Sequence, residues 1–165
     1  MGGPSAAIVV EELIGLGARR LVRVGTCGAL AERLELGALL AVSSVLAGDG
    51  TSVALGADES MPPDPHLLER LVAAGARPAM VASTDLFYDP REEMPALWTG
   101  AGAVAVEMET ATIFAVARRR TVSAACVLGV TDVASPEGPL RATPEQIEAI
   151  GLRVGEAGYA ALKTR

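Results

Sequence analysis

The chain is poor in aromatic rings, histidine, cysteine, basic residues and long apolar runs, and each shortage removes a class of function. Two Phe, two Tyr and one Trp among 165 residues cannot build the base-stacking platform of a single-strand binder. Fourteen Lys and Arg stand against twenty Asp and Glu, for a net charge of −6. That balance opposes general contact with a phosphate backbone, so no nucleic-acid partner is expected. One histidine, His66, offers Ser-His or Cys-His catalysis a single, poorly placed base. The two cysteines, Cys27 and Cys126, lie in apolar stretches with no ligand-type residue nearby. They read as reduced, buried thiols of a cytoplasmic protein, with neither a disulfide framework nor a metal site. No apolar run reaches the roughly 18 residues of a membrane span, because Gly, Ser, Arg or Glu breaks every candidate. The opening MGGPSAAIVVEE also lacks the basic flank of a signal peptide.

What remains is ample material for one folded domain: 50% of the residues are hydrophobic and 21% charged. Pro4 and Ser5 open a predicted helix carrying Val9, Leu13 and Leu16 at helical spacing, with Gly17 as its stop. Short branched runs predict strands over 20–25, 38–47, 79–83, 103–108 and 122–130. Helices are predicted over 67–74 and 110–119, and a last one begins at Pro144, with Thr143 as N-cap and Gln146 as its capping-box partner. Strands apolar on both faces and separated by helices predict an α/β fold. The stretch 48–65, rich in Gly, Asp, Ser and Pro, reads as a long loop. The chain opens at a helix start with no leading strand, so an upstream segment is expected.

Four segments could carry chemistry. In Arg23-Val-Gly-Thr-Cys-Gly28, a planar guanidinium, a hydroxyl and two glycines could form an anion pocket; the plain alternative is a turn with a surface arginine. The spacing is neither GxGxxG nor a P-loop. In Val106-Glu107-Met108-Glu109-Thr110, carboxylates two apart on an extended segment share a side and could grip vicinal hydroxyls. They would equally suit a solvated strand end, or Glu109 placed at a helix N-terminus. Val127 to Asp132 is an apolar strand delivering one acid at its C-terminal end, the usual place for an α/β active site. As an alternative, Asp132 forms a turn ahead of Ser135-Pro136. Phe87-Tyr88 offers flat rings for stacking, although core packing is their commoner fate. The run Arg118 to Arg120 reads as a solvated helix end.

Together these segments resemble the purine/uridine phosphorylase family of nucleoside phosphorylases. The resemblance is carried in order by GGPSAAIVVEEL at Gly2–Leu13, RVGTCGAL at Arg23–Leu30, STDLFY at Ser83–Tyr88, VEMETAT at Val106–Thr112 and VTD at Val130–Asp132. It implies a three-layer α/β sandwich around a mixed, partly barrel-like sheet, a single domain over 1–165. It also implies phosphate-dependent cleavage of an N-glycosidic bond, giving free base and ribose 1-phosphate. Nucleoside and phosphate would be the ligands, with phosphate as co-substrate and no metal or organic cofactor. Members are homo-oligomers, as dimers or trimers of dimers.

Residue by residue, the resemblance implies that Arg23 and Thr26 bind phosphate, and that Glu107, Met108 and Glu109 hold the ribose. Cys27, Gly28 and Phe87 would line the base, and Asp132 would protonate it. Hydrolytic nucleosidases of the superfamily lack an arginine at the place of Arg23. Uridine-specific members carry a Gln-x-Arg pair after Phe-Tyr, where this chain reads Asp89-Pro-Arg-Glu-Glu-Met94; Arg91 stands at a different spacing. Purine nucleosides are therefore expected over uridine. Family members also carry further residues ahead of the GGPS turn, with a second arginine-bearing phosphate loop and residues lent to a neighbouring subunit. The chain is accordingly expected to be N-terminally truncated, and an inactive nucleoside-binding remnant is the alternative of a different class.

Overall fold

The computed structural model describes residues 2–31, 34–133 and 138–163; the turn read at Ser135-Pro136 lies outside them. In chain order the elements are α1 (Gly3–Gly15), β1 (Arg20–Ala29), β2 (Leu39–Gly48), α2 (Gly50–Ala54), β3 (Ser60–Met61) and α3 (Pro65–Ala73). They continue as β4 (Arg77–Thr84), α4 (Met94–Gly100), β5 (Ala105–Glu107), α5 (Thr110–Arg120), β6 (Ser123–Val133), β7 (Leu140–Arg141) and α6 (Pro144–Leu162). The strands form one sheet in the order β3-β2-β4-β5-β1-β6-β7, and β2 also pairs with β6. That extra pairing closes β2, β4, β5, β1 and β6 into a five-strand ring.

Pairing inside the ring is mixed: β1 runs parallel to β6, and β2 to β4, while β1–β5 and β2–β6 are antiparallel. Helix α5, with α1 packed against it, covers one face over a core that includes Val42, Val81, Phe114 and Leu128. Helices α3 and α6 cover the other, over Ala41, Leu71, Val127 and Val154. The three-layer sandwich around a mixed, barrel-like sheet is thus the observed architecture.

Local sequence explains the placement of the helices. Thr143 and Gln146 form the expected reciprocal capping box at α6. Helix α6 lies close on the sheet because Gly158 has no side chain: a Cβ there would stand 2.6 Å from Val24 Cγ2. Helix α5 is buried from Thr110 through Ala117, so its sequence shows no amphipathic stripe.

Two expectations are corrected, and one helix is new. On α1 the inward residues are Gly3, Ala6 and Val10, while Val9, Leu13 and Leu16 face outward, Leu16 being 85% exposed. The small residues pack inward because α5 approaches too closely for leucines; a Cβ on Gly3 would meet Thr112 Oγ1 at 2.7 Å. Residues 48–65 are not a bare loop but hold α2 and β3, with Asp49 accepting the Ser52 amide at 2.8 Å as the N-cap of α2. Helix α4, whose indole Trp98 is buried, had no clear sequence pattern.

Candidate active site

The C-terminal ends of β1, β4, β5 and β6 open onto one cavity of about 850 Å³. Arg23, Thr26, Cys27, Gly28, Phe87, Glu107, Met108, Glu109 and Asp132 all line it, so the nine residues singled out in the sequence stand around a single hollow.

Its most tightly built part surrounds Arg23. The side chain leaves β1 and folds back over Gly25, whose missing Cβ makes room for the guanidinium. Arg23 is no surface arginine: its side chain is only 12% exposed. One terminal nitrogen lies 3.1 Å from Glu107 Oε2 and also bonds Glu109 Oε2. Glu109 additionally accepts the Gly2 amide at 2.7 Å. Burial alone would raise the Glu109 carboxyl, but the Arg23 charge and the Gly2 amide outweigh it and hold Glu109 below its ordinary value.

The two glutamates do different work. Glu107 ends β5 with no exposed side chain, and its oxygens accept the amides of Glu109 at 3.0 Å and Thr110 at 2.9 Å. It therefore caps the first turn of α5, satisfying amides a helix leaves unpaired. Ser83 Oγ at the end of β4 donates to its other oxygen. Glu109, although at the N-cap position, gives no capping bond and turns toward Arg23 instead. Glu109 thus stands at the helix N-terminus, as the sequence alternative has it, but the capping bonds come from Glu107.

Asp132 sits near the end of β6, where the pairing with β1 skips a residue: Cys27 faces Val130 and Gly28 faces Asp132. Such a bulge re-aims the side chains after it. Asp132 Oδ1 lies 3.2 Å from Nε of Arg141, its register partner on β7, and its Oδ2 accepts from Thr131 Oγ1 at 2.9 Å. Nearby, desolvation pushes the Cys27 thiol well up, and the Cys126 thiol up to about 12. Both are free and buried and stay protonated near neutral pH, so neither is a ready nucleophile.

At the mouth, Phe87 and Tyr88 stand edge to face at 4.9 Å, 63% and 84% exposed, rather than packed in the core. Arg91 is held twice by Asp89, at 2.8 and 2.6 Å, so its guanidinium is already engaged.

Sequence reasoning missed Ser83 and Arg141, and it read Gly25 as a glycine that lets backbone amides approach an anion rather than as room for the guanidinium. Ser83 was legible only as a letter in STDLFY, and Arg141 lies far from any motif. Gly25 had a signal in the single residue separating it from Arg23. Among the described residues no group of three or more His, Cys, Asp or Glu is arranged to hold a metal ion, and no helix is long and apolar enough to cross a membrane.

The sequence matches the family described as the phosphorylase superfamily over residues 1–164. It is 36% identical over 137 residues to the guanosine phosphorylase of Halorubrum lacusprofundi, covering 79% of this chain and 57% of that protein. It is 33% identical over 141 residues to the DeoD-type purine nucleoside phosphorylase of Caldanaerobacter subterraneus, covering 80% and 61%. To the DeoD-type enzyme of Myxococcus xanthus it is 34% identical over 143 residues, covering 80% and 59%. The chain spans about three-fifths of the length of these relatives. It belongs to the phosphorylase superfamily.

Proposed function

We propose that this member of the superfamily cleaves purine nucleosides with inorganic phosphate, releasing the free base and ribose 1-phosphate. The observation that carries the reading is the convergence of Arg23, Glu109 and Asp132, far apart in sequence, on one cavity. The relatives' names, guanosine phosphorylase and purine nucleoside phosphorylase, point the same way.

Breaking an N-glycosidic bond develops positive charge on the sugar and negative charge on the departing base. In the proposed geometry, phosphate sits beneath the ribose, within reach of Arg23 and the Thr26 hydroxyl, and attacks the anomeric carbon. Glu109 accepts from the ribose hydroxyls, with Met108 against the sugar face; Glu107 contributes by holding Arg23. The base lies along Cys27, Gly28 and Phe87. Asp132 gives its proton to the base, and Arg141 stabilises the carboxylate left behind. No metal or organic cofactor enters this sequence of steps.

The charges at the phosphate end set a condition. Arg23 sets one positive charge against the carboxylates of Glu107 and Glu109. A phosphate dianion calls for further cations, which the resemblance assigns in part to a neighbouring subunit. The proposal therefore includes a homo-oligomer, a dimer or trimer of dimers, acting in the cytoplasm. Outward apolar residues, Ile8 on α1 at 66% and its C-cap Leu16 at 85% exposed, suit such an assembly.

The test is to incubate the protein with guanosine, inosine or uridine, with and without phosphate, and to separate nucleoside, base and ribose 1-phosphate. Phosphate-dependent release of purine base is expected, lost in Arg23→Ala and in Asp132→Asn. Release without phosphate would make it a nucleosidase, faster release from uridine would make it a uridine phosphorylase, and nucleoside binding without turnover would make it a remnant. Each would overturn the reading.

A further inference from the structure

We infer that Ser83 is a positioning residue of the phosphate subsite, acting through Glu107 on Arg23; this rests on the reading of Arg23 as a phosphate ligand. Ser83 is wholly buried and is the register partner of Glu107 across the parallel β4–β5 pair. Its Oγ donates to Glu107 Oε1 and accepts the Ala111 amide at 2.9 Å. The hydroxyl thus ties the end of β4 to the first turn of α5 and fixes one oxygen of the carboxylate between them.

The other oxygen faces Arg23 at 3.1 Å. A carboxylate moves as a plane, so pinning Oε1 settles the direction in which Oε2 points. Three elements meet on this one group: β4 through Ser83, the start of α5 through the amides of its N-cap Glu109 and of Thr110, the latter reaching both oxygens, and β1 through Arg23. The guanidinium has no direct bond to β4, so any influence of Ser83 on it passes through Glu107.

The fold supplies a matched comparison. Thr112, on α5 and also wholly buried, donates at 2.6 Å to the buried carboxylate of Asp49. Its bond is of the same kind as that of Ser83, but Asp49 and Thr112 do not line the cavity. Removing either hydroxyl costs one buried bond to a carboxylate, and removing that of Ser83 also frees the Ala111 amide; only Ser83 bears on Arg23.

The experiment compares wild type, Ser83→Ala and Thr112→Val by thermal melting, by calorimetric titration with inorganic phosphate, and by KM for phosphate against kcat. Both variants should melt at lower temperature than wild type. Ser83→Ala should weaken phosphate binding, and raise KM for phosphate, by about tenfold or more, whereas Thr112→Val should leave both unchanged. Equal phosphate affinity in the two variants would reduce Ser83 to a structural bond and overturn the inference. A wild type that binds phosphate without phosphorolysis would overturn the proposed activity, while the calorimetric comparison still decides Ser83. A wild type that binds no phosphate would overturn both.

Discussion

Adding one methyl group at Gly25 should damage the cavity more than its size suggests. The backbone of Gly25 stays out of the left-handed region, so alanine meets no conformational penalty there, and such a change usually stabilises by about 0.4–1 kcal/mol. The space a Cβ would take, however, is filled by the Arg23 guanidinium. Gly25→Ala must therefore expel that group from Glu107, whose side chain has no exposure of its own. Separating a buried charge from its partner costs about 3–5 kcal/mol, which outweighs the entropic gain. For a chain of this size each kcal/mol shifts the melting temperature by about 2–4 °C, so the variant should melt roughly 6–20 °C lower. The decisive assay is a double-mutant cycle. In an Arg23→Ala background the space is empty, and Gly25→Ala should then be nearly neutral, giving a coupling of about 3 kcal/mol or more. An equal loss from Gly25→Ala in both backgrounds would refute the reasoning, because the methyl would then be clashing with something other than Arg23.

Two further predictions concern pH and packing. Because Glu109 titrates below its ordinary value of 4.5, its stabilisation is complete above that pH and is lost as the pH falls through the depressed folded-state value. Glu109→Gln should thus be less stable than wild type at pH 7, with the gap narrowing as the pH falls below 4.5 in urea titrations; a constant gap would count against the ion pair. Within α6, Gly158→Ala should destabilise by about 1–3 kcal/mol, since its Cβ would stand 2.6 Å from Val24. Gly155→Ala, with open space around it, should stabilise by about 0.5–1 kcal/mol; denaturant midpoints that rank the two the other way would contradict the packing described.

The parts legible in the sequence are those written locally. The α6 capping box is four adjacent residues, and the runs of β1, β2 and β6 are apolar enough to stand alone. The site residues were legible because motifs hold them together: VEMET places two carboxylates within three positions, and VTD ends a strand. What stayed hidden was set by distant partners. The inward side of α1 depends on how closely α5 approaches, which no period within α1 records. The division of labour between Glu107 and Glu109 depends on Ser83, on Arg23 and on the helix amides meeting there. Arg141 became visible only once β7 was paired to β6, since nothing near Leu140 in sequence announces that it faces Asp132.

The closed ring of strands gives the two arginines different mechanical standing. Arg23 grows from a hoop member flanked on both sides, so shifting its backbone means prising open the whole band. Arg141 rides on β7, a tab two residues long and exposed along both, fastened to the hoop's outer rim by a single neighbour. Such a tab can lift while the band stays shut, because few contacts resist it. One cation is thus riveted to the frame and the other hangs from a latch, and the latch stands over the acid at the far end of the hollow.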